Sequence, residues 1–156
     1  MDLQRRHALK AGGGLSLMAF AVAAGLVKPG VAEAAEWNQA AFETRNLADV
    51  IKALGGSPPM ESKDIELLSP EIAENGAVVQ LTINSKLPRT QSIAVLVEKN
   101  PNALSALFDI PDGTDPSITI RVKMAQTSNI TALVKADGKY YYVAKETKVT
   151  LGGCGG

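Results

Sequence analysis

The feature that most constrains the fold is the alternation of apolar and polar residues in short segments after residue 60. Segments 79–84 and 118–124 carry apolar residues at every second position. A period of two places successive side chains on opposite faces of a strand, so each segment predicts a strand with one buried face. Segments 65–68, 93–97, 129–136 and 139–144 are also strand-like. About seven short strands without helices between them predict a mainly β fold, an immunoglobulin-like antiparallel β-sandwich.

Two of these segments carry additional information. Segment 93–97 (Ile-Ala-Val-Leu-Val) is apolar on both faces, so it is either a central strand or a strand covered by a second protein. Asp137-Gly138 predicts a tight hairpin turn, and the second arm of this hairpin, from Lys139 to Leu151, continues directly into the C-terminal tail. The aromatic run at 140–142 favours packing within the hairpin over a stacking surface.

The N-terminal part of this domain predicts a helix from about residue 38 to residue 54. Asn38 is a suitable N-cap, and Leu47, Val50, Ile51 and Leu54 follow the spacing of one buried helical stripe. Glycines at 55–56 and prolines at 58–59 end the helix. Residues 35–151, somewhat fewer than 120, therefore form one domain with an N-terminal helix.

Residues 1–34 have the features of an export signal that is cleaved. Arg5-Arg6 resembles a twin-arginine signal, an apolar run spans 15–27, and Ala32-Glu33-Ala34 is a small-x-small cleavage site. The wider apolar stretch 11–27 contains four glycines and a serine, so it is too short and too weakly hydrophobic for a membrane anchor of about 20 residues. Twin-arginine transport carries folded proteins, so we expect export in the folded state to the periplasm and a mature form without a membrane anchor.

The charge balance excludes two classes of partner. Cleavage after residue 34 removes four basic and two acidic residues from the 16 of each kind, which leaves a net charge of about −2. The mature sequence has no basic run or stripe. Nucleic acid and anionic membrane are therefore not expected partners.

The chain ends in Gly152-Gly153-Cys154-Gly155-Gly156, and this pentapeptide holds the only cysteine. Glycine has no Cβ, so four glycines around one cysteine predict a thin and flexible arm that a narrow cleft can admit. At 3.3–3.6 Å per extended residue, the arm carries the sulfur on the order of 15 Å from the last strand. We interpret the tail as a carrier arm that presents a thiol.

Residue counts limit the chemistry of Cys154. A single cysteine has no disulfide partner within the chain. The only histidine, His7, lies in the predicted signal peptide, so the mature chain offers no imidazole for a zinc or haem site or for activating the thiol. We therefore expect no catalytic residue, no metal and no cofactor in the mature chain, and a carrier on which partner enzymes act.

The twin-arginine-like leader, the predicted sandwich and the terminal Gly152-Gly153-Cys154-Gly155-Gly156 together resemble the SoxY family, the sulfur-carrier subunits of the SoxYZ protein in bacterial thiosulfate oxidation. The resemblance implies that sulfur intermediates are attached covalently to Cys154. It implies SoxZ as a non-covalent heterodimer partner. It also implies transient docking to the haem-containing SoxAX, which couples thiosulfate to the thiol, to SoxB, which releases sulfate, and to SoxCD, which oxidises the remaining sulfane sulfur.

Two other interpretations of the tail remain open. Small β-grasp proteins that end in Gly-Gly carry sulfur as a C-terminal thiocarboxylate, although an export signal and a cysteine in the tail are unusual for them. A periplasmic interaction or structural sandwich that forms an intermolecular disulfide through Cys154 is the alternative from a non-carrier class. Alkylation of Cys154 separates the first from a thiol carrier, and a stable reducible dimer identifies the second.

Overall fold

The computed structural model describes residues 38–150. The predicted signal peptide, residues 1–34, and the predicted arm, residues 152–156, lie outside the described residues. In the part of the chain that is described, no helix is long and apolar enough to cross a membrane.

Within residues 38–150, two short helices precede nine strands. The helices are α1 (Gln39–Phe42) and α2 (Leu47–Ala53), and the strands are β1 (Met60–Glu61), β2 (Ile65–Leu68), β3 (Ile72–Ala73), β4 (Val79–Ser85), β5 (Thr90–Val97), β6 (Leu104–Asp109), β7 (Ser117–Val122), β8 (Ser128–Ala136) and β9 (Lys139–Val149). The six strand segments expected from the sequence are all present. Strand β6 and the two-residue strands β1 and β3 were not predicted.

The strands form two sheets whose apolar faces pack together. The larger sheet has the order β1-β9-β8-β5-β6, with β3 also paired to β9, and the smaller sheet has the order β2-β4-β7. Their shared core contains Leu81 and Ile83 from the smaller sheet and Ile93, Val95 and Ile130 from the larger one. The predicted immunoglobulin-like β-sandwich is confirmed. One detail differs, because β1 and β3 run parallel to β9 in an otherwise antiparallel arrangement.

The doubly apolar strand β5 is a central strand. It pairs with β8 on one side and with β6 on the other. Its side chains at 93, 95 and 97 enter the core between the sheets, whereas Ala94 and Leu96 on the opposite face pack in a second cluster that includes Val50 and Ile51 of α2. The chain's own helices therefore cover the outer face of β5, and no second protein is needed there.

In place of the single predicted helix over 38–54, the structure has the two helices α1 and α2. Asn38 caps α1 by accepting a hydrogen bond from the Ala41 N–H (3.1 Å). Asn46 adopts an extended conformation (φ −147°, ψ 161°) and caps α2 by accepting from the Asp49 N–H (2.9 Å). The asparagine side chain competes with the helix for backbone N–H groups. Asn46 therefore acts as a second N-cap and interrupts the predicted helix.

The β8–β9 hairpin turns at Asp137-Gly138, as predicted. Both residues have positive φ (51° and 72°), which is the signature of the tight type I′ turn. Arg89 forms an ion pair with Asp137 at this turn, and the carboxylate raises the pKa of Arg89. The turn lies at the start of β9, and the strand carries the chain 11 residues away from it.

Tyr140 joins this hairpin to the helices. The residue is only 4% exposed, and its hydroxyl donates to the Leu54 carbonyl oxygen (3.2 Å). The backbone at Gly56 approaches so closely that a Cβ there would lie 2.2 Å from the Tyr140 ring. Burial raises the pKa of Tyr140. The packing role predicted for the aromatic run is thus confirmed at Tyr140.

Candidate functional site

The last strand, β9, leads directly into the segment that contains the predicted site. Thr150 is the last described residue, so all five predicted site residues lie outside the described residues; they are Gly152, Gly153, Cys154, Gly155 and Gly156. The structure does show the point from which this segment starts. We name residues 148–150 the tail root.

The tail root is bound on one side by residues 71–74, which include strand β3. The Lys148 N–H donates to the Glu71 carbonyl oxygen (2.9 Å), and the Thr150 N–H donates to the Ala73 carbonyl oxygen (3.1 Å). The Thr150 hydroxyl also donates to the carbonyl oxygen of Glu74 (3.4 Å). These bonds extend the parallel β3–β9 pairing to the last described residue, so the direction of the chain is fixed up to Thr150.

On its other side the tail root contacts the segment before β8. The Val149 N–H, between the two amides that bind residues 71–74, donates to the Thr127 hydroxyl oxygen (3.0 Å). Successive amides of a strand point in opposite directions. The tail root is therefore hydrogen-bonded along both of its edges, as a central strand of a sheet is. The root is therefore an anchored strand end.

Gly76 packs against the tail root at Val149 and against the backbone of Met124. Its carbonyl oxygen accepts a hydrogen bond from the Met124 N–H (2.7 Å). A Cβ at position 76 would lie 2.5 Å from the Met124 carbonyl oxygen and 2.7 Å from Val149 Cγ1, distances that real Cβ atoms essentially never show. Glycine is thus required here because two backbone segments and the Val149 side chain meet.

Lys145 and Lys148, both in β9, are the lysines closest to Cys154 in the sequence. The Lys145 ammonium donates to the Ser69 carbonyl oxygen (3.0 Å), on the wall of a shallow cleft of about 280 Å³. Lys148 lies within the tail root and is exposed. Lys148 is therefore the cation nearer to the tail along the chain, and Lys145 is held against the segment that follows β2.

The spacing between the root and the cysteine sets the reach of the thiol. Cys154 follows Thr150 by four residues, which corresponds to at most about 14 Å of extended chain. Within residues 38–150, no group of three or more histidine, cysteine, aspartate or glutamate side chains is arranged to hold a metal ion. What the described part contributes is a fixed starting point, Thr150, for the segment that contains Cys154.

Sequence reasoning predicted Cys154 as the site residue but missed the residues that anchor the tail root. Residues 71–75 lie between Pro70 and Gly76, and they contain only a two-residue apolar pair, Ile72-Ala73. Such a short pair gives no measurable periodicity. The available signal was its position between two turn-forming residues, which is typical of a short edge pairing.

Comparisons with known proteins identify the family of this chain. The sequence matches the family described as sulfur oxidation protein SoxY over residues 51–154, a range that ends at the cysteine. The chain is similar to the solved structure of the sulfur carrier protein SoxY from Chlorobium limicola f thiosulfatophilum, with 39% identity, coverage of 67% of this chain and 96% of that chain, and a TM-score of 0.62.

A more distant likeness concerns the fold alone. A superoxide reductase (neelaredoxin) from Ignicoccus hospitalis has 17% identity, with coverage of 58% of this chain and 82% of that chain and a TM-score of 0.50. No curated protein matches the sequence significantly.

Proposed function

The chain belongs to the SoxY family of sulfur oxidation proteins, and we propose that it is a periplasmic carrier that holds thiosulfate-derived intermediates covalently on the Cys154 thiol. The observation that carries the proposal is the position of the cysteine. It lies within the family match and four residues beyond an anchored strand end. A thiol on a short glycine tether has the properties required for transfer between enzymes.

The anchored root and the glycine tether have complementary roles in this proposal. Hydrogen bonds on both sides of residues 148–150 keep the origin of the tether fixed on the sandwich. The four glycines around Cys154 add almost no bulk, so different enzyme clefts need to admit only a backbone and one sulfur. A fixed origin also limits the volume that the thiol searches, which raises its effective concentration at a docked active site.

The chemistry assigned to Cys154 is carried out by partner enzymes. In the first step, thiosulfate and the thiol lose one proton and two electrons to give a thiosulfonate on the cysteine sulfur, and the haem-containing SoxAX accepts the electrons. In the second step, water cleaves the terminal S–S bond, and sulfate and a proton leave a persulfide on Cys154, with SoxB as the hydrolase. SoxCD then oxidises the sulfane sulfur of the persulfide to a sulfonate: three water molecules supply the oxygens, seven protons are released, and SoxCD accepts six electrons.

The partners and the compartment are part of the same proposal. SoxY-family membership implies protein partners of the Sox system. We assign SoxZ as the non-covalent heterodimer partner, and SoxAX, SoxB and SoxCD as transient partners. The twin arginines at Arg5-Arg6 support export of the folded chain to the periplasm.

Mass spectrometry of the C-terminal peptide tests the proposal. We expect protein from the periplasmic fraction of thiosulfate-grown cells to carry sulfur and sulfonate adducts on Cys154. A Cys154→Ser variant should lack these adducts and should abolish thiosulfate oxidation while its circular dichroism spectrum is unchanged. Lys139→Ser, an exposed change at the far end of β9, is the matched control and should retain both adducts and activity. A peptide that contains only free thiol or a protein–protein disulfide would contradict the carrier function.

A further inference from the structure

One edge strand of each sheet borders the same groove. Within residues 38–150, β6 pairs with β5 alone and β7 pairs with β4 alone, so each is the end of its sheet. Residues of both strands line a groove of about 470 Å³, among them Phe108 of β6 and Ile120 of β7. Asn100, between β5 and β6, joins the two edges by donating to the Lys123 carbonyl oxygen (2.7 Å) directly after β7. The sandwich is therefore open along the side where β6 and β7 face each other.

The backbone groups of every second residue of β7 point to this open side. The Ser85 N–H of β4 donates to the Pro116 carbonyl oxygen (3.0 Å), just before β7. Because backbone groups alternate in direction along a strand, every second residue of β4 bonds to β7 in the same way. The β7 partners of these residues are Ile118, Ile120 and Val122. The N–H and C=O groups of Thr119 and Arg121 therefore point to the free edge, as the carbonyl oxygen of Lys123 does.

The two edges differ in their ability to accept another strand. In β6, Leu104 and Ala106 pair with the successive residues Leu96 and Val95 of β5, which leaves Ser105 as an extra residue. Such a bulge bends an edge strand and protects it against further pairing. Strand β7 keeps an unbroken register of six residue pairs with β4 and contains no proline. The edge of β7 is therefore the one that can accept a strand.

The floor of the groove is apolar. Ala106, Phe108 and Ile120 line it, and all three are partly buried. Phe108 is opposite Ile93, whose side chain lies in the core, so the Phe108 side chain is on the inner face of the larger sheet. In the part of the chain that the structure describes, Phe108 nevertheless belongs to neither buried cluster. An apolar side chain placed beside the inner face of β7 would cover it.

The charged residues that line the groove, Arg121 and Lys123, are both cations with exposed side chains. Neither takes part in an ion pair within residues 38–150, where the pair that the structure shows joins Arg89 and Asp137. Acidic side chains on an added strand would pair with these cations across the strands. A second copy of this chain would instead bring the same two cations to the edge. The charge of the groove therefore favours an acidic partner over self-association.

We propose that the free edge of β7 accepts an extended strand of the heterodimer partner, and that apolar and acidic side chains alternate along this strand. The proposal rests on the function proposed above. The backbone groups of Thr119 and Arg121 bond to the added strand, its apolar side chains cover Phe108, and its acidic side chains pair with Arg121 and Lys123. Strand addition to a free sheet edge is a recurrent mode of recognition.

The edge requires a permanent partner and not a transient one. A free edge beside an apolar groove is a template for aggregation. An enzyme that binds the carrier for one reaction covers the edge only briefly, whereas a heterodimer partner covers it while the carrier moves between enzymes. The added strand is therefore assigned to SoxZ.

Amide hydrogen exchange on the full mature chain, with and without SoxZ, tests the proposal. In the chain alone, the amides of Thr119 and Arg121 should exchange fast, whereas those of Ile118 and Ile120, bonded to β4, should exchange slowly. Binding of SoxZ should slow exchange at Thr119 and Arg121 by about ten-fold or more. The Leu67 amide is the internal control, because by the same alternation it points to the opposite free edge of this sheet. Its exchange rate should not change.

Two matched pairs of variants measure the contribution to the Kd for SoxZ, determined by isothermal titration calorimetry. Thr119→Pro removes the N–H at the edge, whereas Thr119→Ala keeps it and loses the same hydroxyl contact with Thr82. Proline is tolerated where the N–H bonds to no neighbouring strand. Thr119→Pro should raise Kd about ten-fold and Thr119→Ala less than about two-fold. Arg121→Glu should raise Kd about ten-fold at low salt, whereas Lys139→Glu, an exposed change outside the groove, should leave it within about two-fold.

Each other outcome overturns a defined part of the argument. Unchanged exchange at Thr119 and Arg121, equal slowing at Leu67, or an equal Kd for the proline and alanine variants overturns the strand pairing. Equal effects of Arg121→Glu and Lys139→Glu overturn the acidic character of the strand. Slow exchange at the edge of the chain alone, with a dimer on size-exclusion chromatography, assigns the edge to a second copy and overturns the proposal.

Failure of this inference is distinguishable from failure of the proposed function. SoxZ that binds without slowing exchange at the edge overturns the strand pairing and leaves the carrier function intact. A chain that does not bind SoxZ overturns the heterodimer and this inference together. A protected edge on a chain that never carries an adduct on Cys154 overturns the carrier function alone.

Discussion

Replacing Gly76 by alanine should destabilise the tail root. The added Cβ would lie 2.5 Å from the Met124 carbonyl oxygen, so at least 0.5 Å of movement is needed to reach the 3.0 Å lower limit of real Cβ contacts. The backbone oxygen cannot rotate away as a flexible side chain can. Movement of this kind stretches the 2.7 Å hydrogen bond from the Met124 N–H to the Gly76 oxygen and displaces Val149.

We expect a loss of about 2 kcal/mol in the free energy of unfolding. Overpacking costs roughly 1–3 kcal/mol, and this range includes about 1 kcal/mol for the weakened backbone hydrogen bond. For a domain of this size the loss lowers Tm by roughly 8 °C. Circular dichroism melting at pH 7 measures it, with Ala77→Ser, an exposed change at the neighbouring position, as the control. A Tm for Gly76→Ala within about 1 °C of the control would refute the close approach of residue 76 to the tail root.

Two further predictions concern hydrogen bonds that side chains make. Thr127→Val removes the acceptor of the Val149 N–H and should accelerate hydrogen exchange at that amide about five-fold, whereas Thr127→Ser should not; equal exchange in the two variants would exclude the bond. Tyr140→Phe loses the bond to Leu54 and should cost about 1 kcal/mol at pH 7. Burial raises the Tyr140 pKa above 10.0, so the stabilisation from its protonated hydroxyl is complete below pH 10 and declines as pH rises through the raised pKa. Urea unfolding should therefore show that the difference in free energy of unfolding between the original chain and Tyr140→Phe narrows above pH 10. A difference that stays constant with pH contradicts this.

The parts of the fold that follow from local pattern were predictable from the sequence. The alternation in 79–84 and 118–124 gave strands β4 and β7, and Asp137-Gly138 gave the hairpin, because period and turn chemistry are local properties. The break between α1 and α2 was not predicted. The pattern of the apolar stripe continues through it, and only the capping role of Asn46 interrupts the helix.

Features that depend on distant contacts could not be obtained in this way. Strands β1 and β3 have two residues each and exist because β9 provides their partner. The choice between the two interpretations of β5 depended on the placement of the α2 stripe, which the sequence does not fix. For the site, counting histidines and cysteines sufficed to predict Cys154 as the carrier thiol, and this stays a prediction, whereas the anchors of the tail root required the three-dimensional structure.

The position of β9 also has a consequence for the order of events during synthesis. This strand is the last of the nine described strands to be synthesised, yet it lies in the interior of the larger sheet, with β8 on one side and β1 on the other. The bond between Thr150 and Glu74 joins residues 76 positions apart, and contacts with such long separation form slowly. The tail root is therefore completed only when residues 71–74 have come together with the end of β9, which requires the rest of the domain to have folded.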